Sequence, residues 1–205
     1  MNTDAREEER GERRGIDDIL LLVCKFLNKE EIHYVIVGGI TVLYYGNPRT
    51  TMDIDIILQL SDGNPKKLVA FMRENDFFVS EADLAVAFGE KSHCTIEDKR
   101  SMIRLDLKGV YTEADKLTLE RRKEVIWHNE PIYITSPEDL IANKLAFGSE
   151  QDIKDAEGIW VRQMGELDLR YLGGRCRTLG VREEFEEMEK RVKNYLKEIK
   201  ERERR

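Results

Sequence analysis

Residues 52–58, with the sequence MDIDIIL, place two carboxylates in an otherwise apolar segment. This alternation predicts a β-strand, because successive side chains of a strand point to opposite faces of the sheet. Asp53 and Asp55 then share one face, and Ile54 and Ile56 share the other. Two carboxylates about 6–7 Å apart on one strand repel each other, so one would bind a proton unless a cation lies between them. The segment therefore predicts a strand that presents a carboxylate pair to a cation.

A second predicted strand, HYVIVGG at residues 33–39, ends in Gly38 and Gly39. A short predicted helix follows up to Gly46, and Asn47-Pro48 turns the chain. Glycine lets the backbone approach a ligand closely, and a helix start directs free N–H groups toward an anion. A plain turn between a strand and a helix also uses glycines, so this pair alone does not identify a binding site.

A third carboxylate, Asp106, lies between Leu105 and Leu107 on another predicted strand. If that strand lies beside the first, Asp53, Asp55 and Asp106 meet on one patch. Mg²⁺ or Mn²⁺ is the expected ion, because hard cations prefer carboxylate oxygens. Such a patch is typical of two-metal sites for in-line attack on a phosphate. Taken alone, Asp106 could equally be a strand-edge residue that faces water.

The remaining pattern predicts an α+β fold with three parts: a charged flexible arm (1–15), an α/β core (16–135) and a helical C-terminal region (136–205). Helices are predicted near residues 16–27, 64–75 and 80–89. Strands are predicted at 77–79, as a hairpin across 98–100, and as a strand pair or bent strand at 124–135. Ser136 and Pro137 form a strong helix start. The elements do not alternate regularly, which argues against a doubly wound parallel sheet.

The net charge of −7 lies within residues 16–181, because the charges of the two ends nearly cancel. So acidic a region argues against binding a long nucleic acid without a metal or a local basic groove. Cys24, Cys94 and Cys176 lie far apart, which predicts reduced thiols. No apolar run is long enough to span a membrane and the N-terminus has no signal core, so we expect a cytoplasmic protein without a membrane partner.

These residues together resemble the nucleotidyltransferase superfamily with the polymerase β-type fold. Its signature is a hydrophobic residue, Gly and then Gly or Ser, followed after ten or more residues by Asp-hydrophobic-Asp or Glu, with a third acidic residue on a later strand. Here it reads Val37-Gly38-Gly39, Asp53-Ile54-Asp55 and Asp106. The resemblance implies a mixed sheet with flanking helices, and transfer of a nucleoside monophosphate from a nucleoside triphosphate to an acceptor with release of pyrophosphate.

Arg49 and Thr51, just before the aspartate pair, resemble the branch that includes the AbiEii-type toxins of abortive-infection systems. That branch also tends to carry a helical Lys followed by Asp-x-x-Asp, matched here by Lys144, Asp152 and Asp155. Gln151 stands where an Arg often precedes the first of these aspartates, so a contact made by that Arg is not expected here. The resemblance covers roughly residues 33–160, and its first motif is the more specific one.

The resemblance also implies roles for these residues. Asp53, Asp55 and Asp106 would be catalytic and hold the metal ions, and Asp106 would help to deprotonate the acceptor hydroxyl. The residues implied in triphosphate binding are Gly38, Gly39, Arg49, Thr51 and Lys144. Lys144 could instead be a solvated helix lysine. Asp152 and Asp155 could equally stabilise a helix start.

Two other functions remain open. Apolar residues recur at helical spacing in the C-terminal region, which predicts a helix with one narrow stripe that packs on the body or on another chain: Val181, Phe185, Met188, Val192, Tyr195 and Ile199. The protein could therefore be a catalytically silent module that binds a nucleotide or a partner, either a second copy or an antitoxin-like protein. A metal-dependent phosphohydrolase is a third hypothesis. The acceptor could be RNA, with tRNA as one candidate, or protein or a small molecule.

Overall fold

The computed structural model describes residues 13–46 and 48–203. These residues form seven strands: β1 His33–Val37, β2 Asp53–Gln59, β3 Phe77–Phe78, β4 His93–Asp98, β5 Arg104–Gly109, β6 Lys123–Trp127 and β7 Glu130–Ile134. They also form nine helices: α1 Ile16–Lys29, α2 Gly38–Tyr45, α3 Asn64–Glu74, α4 Glu81–Gly89, α5 Glu113–Glu120, α6 Pro137–Phe147, α7 Glu150–Arg162, α8 Leu169–Thr178 and α9 Arg182–Glu203. The predicted α+β class is confirmed.

The chain divides into two compact units, with boundaries after Ile40, Arg49 and Ile134. Unit 1 joins the described residues up to Ile40 with Thr50–Ile134, and unit 2 joins those of Thr41–Arg49 and Thr135–Arg205. All strands belong to unit 1. Most of the charged arm predicted for residues 1–15 lies outside the described residues, which begin at residue 13.

Unit 1 is built on one mixed sheet with the strand order β3-β4-β5-β2-β1-β7-β6. Strand β2 lies at its centre, antiparallel to β1 and parallel to β5. Ile54 and Ile56 are buried on one face, whereas Asp53 and Asp55 are partly exposed on the other. The alternation predicted for β2 is therefore confirmed, since burial of its isoleucines sets the direction in which its carboxylates point.

The predicted hairpin of β4 with β5 is confirmed, and the segment predicted as a strand pair or bent strand forms the antiparallel pair of β6 and β7. Helix α5 was not predicted from the sequence, because eight residues give little helical periodicity. Its start is nevertheless encoded locally. The Thr112 hydroxyl accepts a hydrogen bond from the backbone N–H of Asp115, and the Asp115 carboxylate accepts one from the N–H of Thr112. Leu119 of α5 then packs against Val35 and Ile57 on the sheet face that carries Asp53 and Asp55.

Unit 2 is helical, and its helix α6 begins as predicted. Ser136 caps α6 by accepting a hydrogen bond from the N–H of Asp139, and Pro137 is in the first turn. The Asp139 carboxylate is fully buried and also accepts hydrogen bonds from Arg175 and Tyr171 of α8. This network joins α6 to α8.

The predicted apolar stripe of α9 is only partly buried. Val181, Phe185, Met188 and Val192 lie in the core of unit 2, whereas Tyr195 is 62% exposed. The stripe thus packs on the body at its N-terminal end. Its outer end leaves an aromatic side chain in solvent. In the described part of the chain, no helix is both long and apolar enough to cross a membrane.

Candidate active site

The third carboxylate lies beside the first two. Strands β2 and β5 run parallel, and their register sets Asp55 directly opposite Asp106. Neighbouring strands lie about 4.8 Å apart, so residues in register on one face are adjacent. Asp53 shares this face of β2 and pairs with Arg104 in the same register. The condition set in the sequence analysis, that the strand of Asp106 adjoins that of Asp53 and Asp55, is therefore met.

The two glycines pack tightly against β2 and the residues before it. Gly38 has a φ of +66°, and a Cβ atom there would lie 2.0 Å from Oδ2 of Asp55. A Cβ on Gly39 would lie 2.6 Å from Oγ1 of Thr51. Both distances are far below van der Waals contact, so no larger residue fits without displacing these side chains. The start of α2 therefore adjoins the carboxylates, as the motif spacing suggested.

Thr51 links the glycine turn to the start of β2. Its hydroxyl donates a hydrogen bond to the carbonyl oxygen of Asp53 at 3.2 Å and accepts one from the Asp53 N–H at 3.4 Å. Thr51 thus acts on the backbone of Asp53 while it packs on Gly39. A contact between Thr51 and a triphosphate stays a prediction.

Arg104 is a residue of this site that the sequence analysis missed. Its Nε and Nη2 atoms both donate to Oδ1 of Asp53, at 2.9 and 2.7 Å. The hydrogen bond and the negative charge of Asp53 raise the pKa of the Arg104 guanidinium. The sequence did indicate that Arg104 lies near the site, because it precedes Asp106 by two residues on one strand and must share its face.

The donor chemistry of the site fits a hard divalent cation. The side chains of Asp53, Asp55 and Asp106 offer only carboxylate oxygens. Gly38, which has no side chain, leaves room for the carboxylate of Asp55. Across the described residues, however, no group of three or more His, Cys, Asp or Glu side chains has the geometry of a preformed metal site. Oδ1 of Asp53 is bound by Arg104, and Oδ1 of Asp106 accepts a hydrogen bond from the Thr95 hydroxyl. A three-carboxylate site would therefore require these contacts to be exchanged.

Lys108 follows Asp106 on the same face of β5, but its charge is engaged elsewhere. Its Nζ atom lies 2.7 Å from Oδ1 of Asp115. Burial acts to raise the pKa of the Asp115 carboxyl, but hydrogen bonds from Lys108 and Thr112 outweigh burial and lower it. The pair therefore attaches α5 to the sheet beside the three aspartates.

Arg49 and Lys144, both expected to bind phosphate, lie in a charge network of unit 2. Arg49 Nη1 is 2.6 Å from Oδ2 of Asp155, and Lys144 Nζ is 3.1 Å from the same oxygen. Lys144 also lies 2.6 Å from Oδ1 of Asp152. Gln151 completes the network by donating a hydrogen bond to Oδ1 of Asp155. Two cations thus balance two carboxylates.

This network decides between some of the sequence interpretations. The Lys144 side chain is only 11% exposed, so it is not a solvated helix lysine. Asp155 is buried, whereas Asp152 lies in the first turn of α7 and accepts a hydrogen bond from Ser149, the N-cap. Burial acts to raise the pKa of Asp152, and hydrogen bonds from Lys144 and Ser149 lower it. Phosphate binding by Arg49 and Lys144 stays a prediction, and would compete with these pairs.

Two solved structures share this fold. An antigenic nucleotidyltransferase-like protein from Paracoccidioides brasiliensis aligns with a TM-score of 0.53 at 17% sequence identity, over 80% of this chain and 89% of its own. ANT(2″)-Ia in complex with adenylyl-2″-tobramycin aligns with a TM-score of 0.52 at 11% identity, over 80% of this chain and 95% of its own. At such low identity, these similarities establish the fold alone.

No curated protein matches the sequence. A family model described as a nucleotidyltransferase of unknown function, DUF6036, matches residues 16–204. The match spans almost the whole chain. The protein therefore belongs to the DUF6036 family of nucleotidyltransferases.

Proposed function

We propose that the protein is an active, Mg²⁺- or Mn²⁺-dependent nucleotidyltransferase that moves a nucleoside monophosphate from a nucleoside triphosphate to an acceptor hydroxyl. The observation that carries this proposal is the register of β2 and β5, in which Asp55 faces Asp106 beside Gly38. A noncatalytic sheet would have no need of three adjacent carboxylates, which repel one another.

The residues have the following roles in the proposal. Asp53, Asp55 and Asp106 hold the metal ions, which when bound neutralise the triphosphate charge and make a hydroxyl more acidic. Backbone N–H groups at the start of α2, after Gly38, bind the β- and γ-phosphates. Asp106 accepts the proton of the acceptor hydroxyl, and the hydroxyl oxygen attacks the α-phosphorus. The bond from the α-phosphorus to the bridging oxygen breaks, and pyrophosphate leaves.

The acceptor is proposed as one of several alternatives. ANT(2″)-Ia, which shares the fold, was solved with an adenylylated small molecule, and the same type of transfer is possible here. The motif of Arg49 and Thr51 favours the AbiEii-type branch, a toxin–antitoxin context and a tRNA acceptor. These finer assignments stay predictions.

A catalytically silent module is the second candidate function. The observation in its favour is that Arg104 binds Asp53 and that the described residues contain no preformed three-carboxylate site. Such a protein would bind a nucleotide or a partner chain through the same fold without transferring a nucleoside monophosphate.

Transfer of an α-phosphate label separates the two candidates. The protein is incubated with each α-labelled nucleoside triphosphate and Mg²⁺ or Mn²⁺, together with cellular RNA, protein or small molecules. We expect one fraction to become labelled, and Asp53→Asn to abolish the labelling. Asp62→Asn, which removes the same charge from an exposed turn of unit 1, is the matched control. Equal labelling by the wild type and Asp53→Asn would refute the proposal.

A further inference from the structure

Arg104 holds a position in which it competes with a metal ion. Two of its nitrogen atoms donate to Oδ1 of Asp53, so a cation that binds this oxygen must displace the guanidinium. The pairing is built into the sheet, because Asp53 and Arg104 are partners in the register of β2 and β5. The contact is therefore a feature of the strand pairing.

The charges around the site explain why such a residue is useful. Asp53 and Asp55 share one face of β2, and Asp106 of β5 is in register with Asp55, so without a cation their repulsion would raise the free energy of the sheet. Arg104 compensates one of these charges within the same sheet. An arginine remains charged at any relevant pH, so this compensation does not change with pH.

The exposure of the pair makes it exchangeable. The Arg104 side chain is 50% exposed and that of Asp53 is 37% exposed. Exposed ion pairs stabilise a protein only weakly, because water and salt compete with them. Lys108 and Asp115, on the same sheet face, differ in this respect, since the carboxylate of Asp115 is buried and bound by Thr112 as well. Of these two pairs, Arg104–Asp53 is the one that a solvent cation can open.

We propose that Arg104 is a positioning residue that holds the Asp53 carboxylate until a divalent metal ion displaces it. This inference rests on the proposed function, since it assumes that Asp53 is a metal ligand. Its consequence is that the metal ion binds the free protein more weakly than the three carboxylates alone would allow.

Binding of Mn²⁺ alone, measured by calorimetry in the absence of nucleotide, tests this inference. Arg104→Met keeps an unbranched apolar stem and removes the guanidinium with its charge. We expect it to bind Mn²⁺ about two- to fivefold more tightly, a factor that corresponds to the strength of an exposed ion pair. Arg104→Lys keeps the charge and is expected to bind Mn²⁺ more weakly than Arg104→Met.

The matched control is Arg73→Met, which makes the same change on an exposed residue of α3. Helix α3 packs against β3, at the edge of the sheet, whereas β2 is central. We expect its affinity for Mn²⁺ to equal that of the wild type. Thermal unfolding of each variant verifies that it is folded, and a purely structural role of Arg104 would lower stability without tightening Mn²⁺ binding.

Asp53→Asn distinguishes failure of this inference from failure of the proposed function. If neither the wild type nor Arg104→Met binds Mn²⁺, or if Asp53→Asn binds it as tightly as the wild type, Asp53 is not a metal ligand and both proposals are wrong. If Asp53→Asn loses Mn²⁺ while Arg104→Met binds it no more tightly than the wild type, only the role of Arg104 is overturned.

Discussion

Replacing Gly38 with alanine should damage the site more than it damages the fold. An alanine at the φ of +66° observed here is strained by about 1–2 kcal/mol. Its Cβ would also lie 2.0 Å from Oδ2 and 2.9 Å from Cγ of Asp55, so this carboxylate must move. Overpacking of this kind costs about 1–3 kcal/mol. We therefore expect Gly38→Ala to lower the free energy of unfolding by about 2–5 kcal/mol.

Gly63→Ala separates backbone strain from the steric clash. Gly63 has a φ of +86°, but among the described residues no atom lies within 4 Å of the position of its Cβ. This variant should show the strain of about 1–2 kcal/mol and nothing more. Urea denaturation gives both free energies from the shift of the midpoint.

The functional measurement for both variants is Mn²⁺ binding together with transfer of the α-phosphate label. Gly38→Ala should lose both, because displacing Asp55 removes a carboxylate from the face that it shares with Asp53. Gly63→Ala should retain both. If Gly38→Ala is destabilised no more than Gly63→Ala and still binds Mn²⁺ with wild-type affinity, the close packing against Asp55 has no role in the site.

Two further predictions concern stability. Arg14→Met removes the guanidinium that pairs with the fully buried Asp98 carboxylate. The free energy of unfolding, measured in urea, should therefore fall by about 3–5 kcal/mol, and an unchanged midpoint would contradict this. Asp115 has a lowered pKa in the folded state, so its contribution to stability is present at neutral pH and is lost as the pH falls below the ordinary value of about 3.9 toward the folded value. The stability difference between wild type and Asp115→Asn should therefore shrink with acidification below that pH, and a constant difference would refute the assignment.

Much of unit 1 could be predicted because its signals are local. The alternation in β2 indicated which face carries Asp53 and Asp55, and burial of Ile54 and Ile56 on the opposite face confirms it. In unit 2, the helix start at Ser136 was equally clear, since capping involves residues only three positions apart. Helix α5 was missed because its eight residues show little periodicity and are stabilised by contacts with the sheet.

Contacts between distant residues could not be predicted in the same way. Arg49 and Lys144 were expected to bind phosphate, and nothing in their spacing indicated that Asp155, 106 positions after Arg49, would bind both. The stripe of α9 was correctly identified as apolar. Only packing within unit 2 shows that Met188 is buried while Tyr195 is exposed.

The sequence alone was enough to predict the strand face of the aspartate pair and the glycine turn before it. These follow from the period of a strand and from the backbone freedom of glycine, which depend on neighbouring residues. The parallel pairing of β5 with β2, which sets Asp106 opposite Asp55 and brings Arg104 to Asp53, is visible only in the folded chain. Strand pairing is set by burial and by closure of long loops, and no local spacing encodes it.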